Sequence, residues 1–269
     1  MARPGGSRQD LVMDPSVDSA PDPKQGEREY YARIGAEGIR HALGKPFTDD
    51  VCNQKLSHVA AIFNLLEAPP SRVLEFGCGV GWLCLMLACH GHQVTGVDIA
   101  PEAIAAAEAQ RDMFAVTRLQ YEVGDYESFQ PPEAVDAVIF YEALHHAEDE
   151  AAAIRAAFQA LKPGGMLIAF EPGEGHHDTP AAQEVIARYR LHEKDMPIAR
   201  IVELGRAAGF TRHLTLPEPW DFLRRVYRRS YGRATTSGAA RGKFILGTLR
   251  AFRHYFFPRE DQSFAVLWK

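Results

Sequence analysis

The chain is poor in cysteine: Cys52, Cys78, Cys84 and Cys89 are the four in 269 residues, and no two stand in CxxC spacing. That excludes a paired-thiolate zinc ribbon and the density of a secreted disulfide scaffold, and it favours a reducing compartment. No apolar run approaches the roughly 18–20 residues needed to span a bilayer. The start, MARPGGSRQDLVMDP, has no apolar signal-peptide segment, so the expected location is cytoplasmic. Internal repeats and sustained heptads are also missing, which sets aside solenoids and coiled coils. With 46% hydrophobic and 24% charged residues, a single α/β domain has enough apolar side chain to bury its own core.

Acid is scarce in one place. From Trp220 to Phe257 nine Lys and Arg face a single acid, Asp221, which leaves 21 basic against 34 acidic residues, or −13, for the remainder. Such asymmetry points to an anionic partner for one face. Phe244, Ile245, Leu249, Phe252 and Phe256 recur there at helical spacing, with Lys243, Arg250 and His254 opposite. Three readings stay open for this basic helical insertion, residues 217–261. It is a cap packed on the domain, a peripheral contact with anionic membrane through 220–257, or a grip on a phosphorylated or lipid-linked acceptor.

Residues 1–28 are rich in Pro, Gly, Ser and charge without apolar period and read as a disordered leader. Residues 29–269 read as one domain, opening with a helical cap over 29–70 that includes a helix from Leu56 to Leu66. Then short apolar runs alternate with helical stretches: strand Arg72–Phe76, helix Gly81–His90, strand Gln93–Asp98, helix Pro101–Arg111, strands Leu119–Val123 and Val135–Tyr141, helix Glu150–Leu161, strand Met166–Glu171 and helix Ile198–Ala208. Strands His213–Leu216 and Ser263–Leu267 follow. Runs apolar on both faces, alternating with helices, predict a mostly parallel, doubly wound sheet covered on each side.

The strongest local signal is LEFGCGVGW, a strand that runs into a glycine turn and opens a helix. Gly77, Gly79 and Gly81 let backbone turn tightly and approach a ligand that a Cβ would obstruct. About twenty residues on, Asp98 ends the next strand, placed to accept from ribose hydroxyls. A dinucleotide fingerprint wants GxGxxG, whereas here Trp82 follows GxGxG.

LEFGCGVGW, VTGVDIA, Val123-Gly124-Asp125-Tyr126, DAVIFYEALHH and LKPGGML, in that order over residues 72–171, resemble the successive motifs of class I S-adenosylmethionine (SAM) dependent methyltransferases. The resemblance implies a Rossmann-like, seven-stranded sheet with an antiparallel last strand. It also implies SAM as cofactor, released as S-adenosylhomocysteine. By the same resemblance Gly77 and Gly79 line the methionine moiety, Gly81 belongs to the same cofactor-binding turn, and Glu75 orients the ammonium directly or through water. Asp98 takes the ribose, Ile99 packs on adenine, Asp125 and Tyr126 read the adenine edge, and Tyr141 ends the fourth strand beside the cofactor. The stretch from Glu29 to the GEGHH loop is similar to bacterial methyltransferases of surface-glycan and natural-product pathways, which implies a small-molecule or saccharide acceptor.

Methyl transfer from a sulfonium needs mainly in-line placement. A base is needed only when the acceptor keeps its proton at neutral pH, as a hydroxyl does. Histidine suits that task, and Glu142, His145 and His146 follow the fourth strand as catalytic candidates. His176 and His177 in the loop after the fifth strand, with Tyr31 from the cap, are candidates for acceptor binding. These acids and imidazoles show no HxxxH or DxD spacing, so no metal site is expected. The turn reads Phe140-Tyr141-Glu142-Ala143 in place of the Asn/Asp-Pro-Pro-aromatic motif of base-amine methylation, and the chain is acidic overall, so nucleic acid is not expected as acceptor. A hydroxyl is the expected acceptor ahead of an amine; a SAM-binding regulatory or scaffold module without turnover, or a nucleic-acid methyltransferase, is the alternative, and the sequence leaves oligomeric state open.

Overall fold

The computed structural model describes residues 22–66, 68–220, 223–224, 227, 249 and 263–269. Most of the basic insertion therefore lies outside the described residues, and so do residues 1–21 of the expected leader. Two helices, α1 (Gln25–Leu43) and α2 (Cys52–Leu65), precede the strand and helix alternation. It runs β1 (Arg72–Phe76), α3 (Trp82–His90), β2 (Gln93–Asp98), α4 (Pro101–Met113), β3 (Leu119–Val123), β4 (Val135–Tyr141), α5 (Glu150–Ala160) and β5 (Leu161–Phe170). Then come α6 (Pro180–Tyr189), α7 (Ile198–Ala208), β6 (Arg212–Pro217) and β7 (Ser263–Trp268).

The seven strands form one sheet in the order β3-β2-β1-β4-β5-β7-β6. β1 to β5 pair in parallel, and β7 runs antiparallel between β5 and β6. Because successive strand side chains point to opposite faces, Leu74, Phe76, Val138, Phe140 and Leu167 meet α5 and α7 on one side. Val73, Ile139, Ile168 and Val266 meet α2, α3 and α4 on the other. Phe76, Phe140 and Phe264 are fully buried, each contributing roughly 1.5–3 kcal/mol of apolar burial. Strand order reverses at β1, with β2 on one flank and β4 on the other. The crevice beyond the carboxyl ends of β1 and β4 is thus the switch point where α/β sheets bind ligands.

Two expectations need correction, and one helix is additional to them. Helix α1 begins at Gln25, so residues 25–28 are helical and not leader; Glu27 in its first turn and Gly26 packed on Arg190 carbonyl fix it there. Strand β5 starts at Leu161 rather than Met166, because Leu161 pairs with Val135 and Lys162-Pro163-Gly164-Gly165 bulges out before pairing resumes at Met166. Gly164 permits the bulge with φ +79. Helix α6 occupies residues to which the sequence pattern assigns no element. Its start is defined by Thr179, whose hydroxyl accepts from Ala182 N at 3.2 Å, with Pro180 in the first turn.

Candidate functional site

At the switch point the chain leaves β1 through Gly77, Gly79 and Gly81, with φ of +69, +53 and +75. Gly77 N and Cys78 N both donate to Val97 O, at 2.8 and 3.0 Å, which ties the turn to the end of β2. A Cβ on Gly77 would sit 2.5 Å from Ala143 Cβ, and one on Gly79 would sit 2.4 Å from the Tyr31 hydroxyl. These two glycines therefore keep bare backbone facing a cleft. Asp98 closes the turn from the other side, accepting from Gly79 N at 2.8 Å and from Ala100 N at 2.9 Å. Burial raises the Asp98 carboxyl above its ordinary range, with the two N–H donors acting in opposition.

The cleft has a volume of about 430 Å³, within the roughly 300–1,000 Å³ of small-molecule and cofactor pockets. Gly77, Gly79, Asp98, Ile99, Asp125 and Tyr126 line it, and so do Tyr31, Glu142, His145, His146 and His176. Glu75, Gly81, Tyr141 and His177 do not. Glu75 points under the turn, where it accepts from Cys84 Sγ at 2.8 Å. Burial there, with the Asp98 charge adding to it and the thiol partly offsetting it, pushes Glu75 up to about 8. Gly81 makes room for the Tyr121 hydroxyl, 2.1 Å from where its Cβ would be. Tyr141 faces the other side of the sheet, its hydroxyl 2.8 Å from His58 Nδ1, while His58 Nε2 lies 2.9 Å from Glu218. His177 Nδ1 donates to Glu193 O at 2.8 Å and its backbone N–H to Asp195 at 2.8 Å, so it braces the loop.

Sequence reasoning missed Lys24, Glu27, Tyr30 and Glu193, which also line the cleft. Lys24 Nζ bridges Asp125 and Glu127 at 2.7 Å each, at the carboxylate assigned to the adenine edge. Glu27 accepts from His192 N at 2.7 Å. Burial alone would raise Glu27, but hydrogen bonds from His146 and His192 outweigh it and hold the carboxyl down at about 2. Both belong to the stretch read as leader, where no period marked them. Glu193 sits between α6 and α7, and two backbone bonds place it: Lys194 N to His145 O and Met196 N to Pro172 O, each 3.2 Å.

The histidines after β4 differ in setting. Leu144–His146 form one 3₁₀ turn held by Glu171, which accepts from Ala143 N, Leu144 N and His145 N at 3.1, 2.8 and 3.3 Å. His145 is buried, with Nδ1 2.7 Å from Glu171 and Nε2 3.5 Å from Glu193. Burial opposes its charge, but the two carboxylates prevail and lift it to about 9. His146 Nδ1 donates to His192 O at 2.6 Å, which leaves its Nε2 to accept. Glu142 adopts φ +51, a strained value for a residue with a Cβ, and is paired to buried Lys55 at 2.5 Å.

Residues 74–169 match the methyltransferase domain family Methyltransf_11. The match spans β1 to β5, the strands whose carboxyl ends frame the cleft. Over 116 residues it is 39% identical to the ubiquinone biosynthesis O-methyltransferase of Xanthomonas campestris pv. campestris, covering 42% of this chain and 47% of that protein. The chain thus spans about half the length of the curated relatives it matches. Its fold is also that of phosphoethanolamine N-methyltransferase 2 of Haemonchus contortus in complex with SAM, at TM-score 0.55 and 21% identity over 79% of this chain and 52% of that one. A putative sarcosine dimethylglycine methyltransferase of Galdieria sulphuraria matches at TM-score 0.55 and 15% identity, over 90% of this chain and 97% of its own. No helix among the described residues is long and apolar enough to cross a membrane.

Proposed function

We propose that the protein transfers the methyl group of SAM to a hydroxyl oxygen of a small-molecule or saccharide acceptor. The observation that carries this reading is the joining, in one cleft, of the glycine turn, Asp98 and Asp125 with His145, His146 and His176. When bound, SAM supplies an electrophilic methyl carbon, which passes to the acceptor as the new O–C bond forms and the S–C bond breaks to release S-adenosylhomocysteine. The chain's own residues do the rest. Gly77 and Gly79 admit the ligand against bare backbone, Asp98 accepts from ribose hydroxyls, and Ile99, Asp125 and Tyr126 receive the adenine. His146 takes the acceptor proton at Nε2, because its Nδ1–H is already committed to His192 O. The oxygen acceptor is supported by the curated relatives, which are O-methyltransferases of ubiquinone biosynthesis.

Calorimetry should show one SAM site, with Asp98→Ala weakening it by on the order of 100-fold or more, since a charge-assisted pair of hydrogen bonds is lost. His146→Ala should keep SAM affinity and lower kcat by about 10²–10⁴. Incubating cell extract with the protein and methyl-labelled SAM would name the acceptor class by the fraction that becomes labelled. Binding of NADH in place of SAM would sink the reading, and SAM binding without label in any fraction would mark a non-catalytic SAM-binding module.

A further inference from the structure

We propose that His145, His176 and Glu193 form a binding site for one divalent transition-metal cation of the zinc class, with an open coordination position facing the cleft. The three come from the turn after β4, the loop after β5 and the segment before α7, positions whose sequence spacing fits no ligand motif. Their ligand atoms nevertheless lie within 4.8 Å of one another. His176 Nε2 is 2.7 Å and His145 Nε2 is 3.5 Å from the same Glu193 oxygen. Tetrahedral bonds of about 2.0–2.1 Å separate ligand atoms by roughly 3.3–3.4 Å, a value these two distances bracket.

The surroundings supply what a ligand set needs. Glu171 holds His145 Nδ1 at 2.7 Å and is itself fixed by three backbone N–H groups, so the ring is oriented and its tautomer set. This carboxylate–histidine pair is the usual support for a metal-binding imidazole. It aims His145 Nε2 at Glu193, which is 9% exposed. A ring nitrogen and a buried carboxylate this close share a positive centre between them, and a cation can occupy that place instead of a proton. Two imidazoles and one carboxylate are also the donor set of catalytic zinc sites that keep an open position, whereas Mg²⁺ and Ca²⁺ want oxygen throughout. His145, His176 and Glu193 line the same cleft as Gly79 and Asp98. An acceptor oxygen in the open position, phenolic or one of a vicinal pair, would be drawn toward ionisation by the cation. That last consequence rests on the methyl-transfer reading; the cation site does not.

The test is titration of the chelator-treated full chain with Co²⁺ alone, read by visible d–d absorption and by calorimetry, followed by displacement with Zn²⁺. One equivalent with four-coordinate absorption is expected. His176→Ala and Glu193→Gln should each weaken binding by on the order of 100-fold, Glu171→Gln by about 10–100-fold, and exposed His213→Ala not at all. Retained SAM binding in His176→Ala certifies the fold. Absent Co²⁺ binding, or equal binding in wild type and His176→Ala, overturns the site. Co²⁺ at these residues without any SAM binding would remove the methyl-transfer reading and leave the cation site standing.

Discussion

Glu75 offers the sharpest test of the electrostatics, because its carboxyl is neutral in the folded chain at pH 7 and ionised in the unfolded one. Its value rises from 4.5 to about 8 on folding, through burial first and the Asp98 charge second. Between those values the folded state holds a proton that the unfolded state has lost, so stability is fully present below pH 4.5, falls as pH rises, and levels off above about 8. At 1.36 kcal/mol per unit, the loss is about 3 kcal/mol by pH 7 and about 5 kcal/mol by pH 9. Glu75→Gln keeps the shape and the acceptor for Cys84 Sγ but removes the titration. Urea unfolding should therefore give equal stabilities for wild type and variant at pH 4, with the variant ahead by a margin that grows to a few kcal/mol at pH 9. The same variant should bind SAM more weakly, if the carboxyl ionises to meet the cofactor's ammonium. That is checked by proton release at pH 7, about one for wild type and none for the variant. Parallel stability curves across the whole pH range would refute the buried neutral carboxyl.

Three other contacts have measurable consequences. Tyr141→Phe strips His58 Nδ1 of its hydroxyl donor in a site that is 1% exposed, so urea melts should show a loss of roughly 1–3 kcal/mol while SAM affinity, measured by calorimetry, stays unchanged. Gly205→Ala places a Cβ 1.9 Å from Leu267 Cδ2 in the packed face between α7 and β7, and should lower stability by about 1–3 kcal/mol, read as a drop in Tm. Glu27 has its folded value depressed from 4.5 to about 2, because hydrogen bonds from His146 and His192 outweigh its own burial. Its contribution of up to ~3 kcal/mol is therefore present above pH 4.5 and lost as pH falls toward 2, and Glu27→Gln should flatten that limb of the acid-unfolding curve.

The sheet was legible because each of its strands is a short apolar run bounded by turn residues. β1, β2, β3 and β4 begin and end where the sequence pattern says, and Gly209 caps α7 with φ +114 as its position after Ala208 implies. Boundaries failed where local chemistry competes with pattern. Lys162-Pro163-Gly164-Gly165 looks like a loop, yet it is a bulge inside β5 because Leu161 still pairs with β4. Thr179-Pro180 was a readable N-cap for α6, but its helix buries only Ala182, so no apolar stripe drew attention to it. Gln25 opens α1 with no apolar period because that turn is held by the cleft, through Lys24 and Glu27, and by Arg190 backbone.

The cleft shows a similar division. Residues whose role depends on a backbone turn, Gly77, Gly79 and Asp98, announce themselves because the strand, glycine and acid lie close together in sequence. Residues whose role depends on a distant partner do not. His145 and His146 are adjacent and look interchangeable, yet Glu171 and Glu193 make one a charge-holding imidazole, and His192 O leaves the other's Nε2 free to accept. Those partners lie between 26 and 48 positions away along the chain and arrive through backbone bonds such as Lys194 N to His145 O. Residue type therefore nominates the pair, but only the fold divides the labour between them. It follows that exchanging the two environments, and not merely deleting a ring, is the informative perturbation. Glu193→Gln should bring His145 down toward an ordinary imidazole value by removing one of its two carboxylate partners, while the His146 bond to His192 O is untouched, and NMR of the His145 ring protons against pH would register the drop.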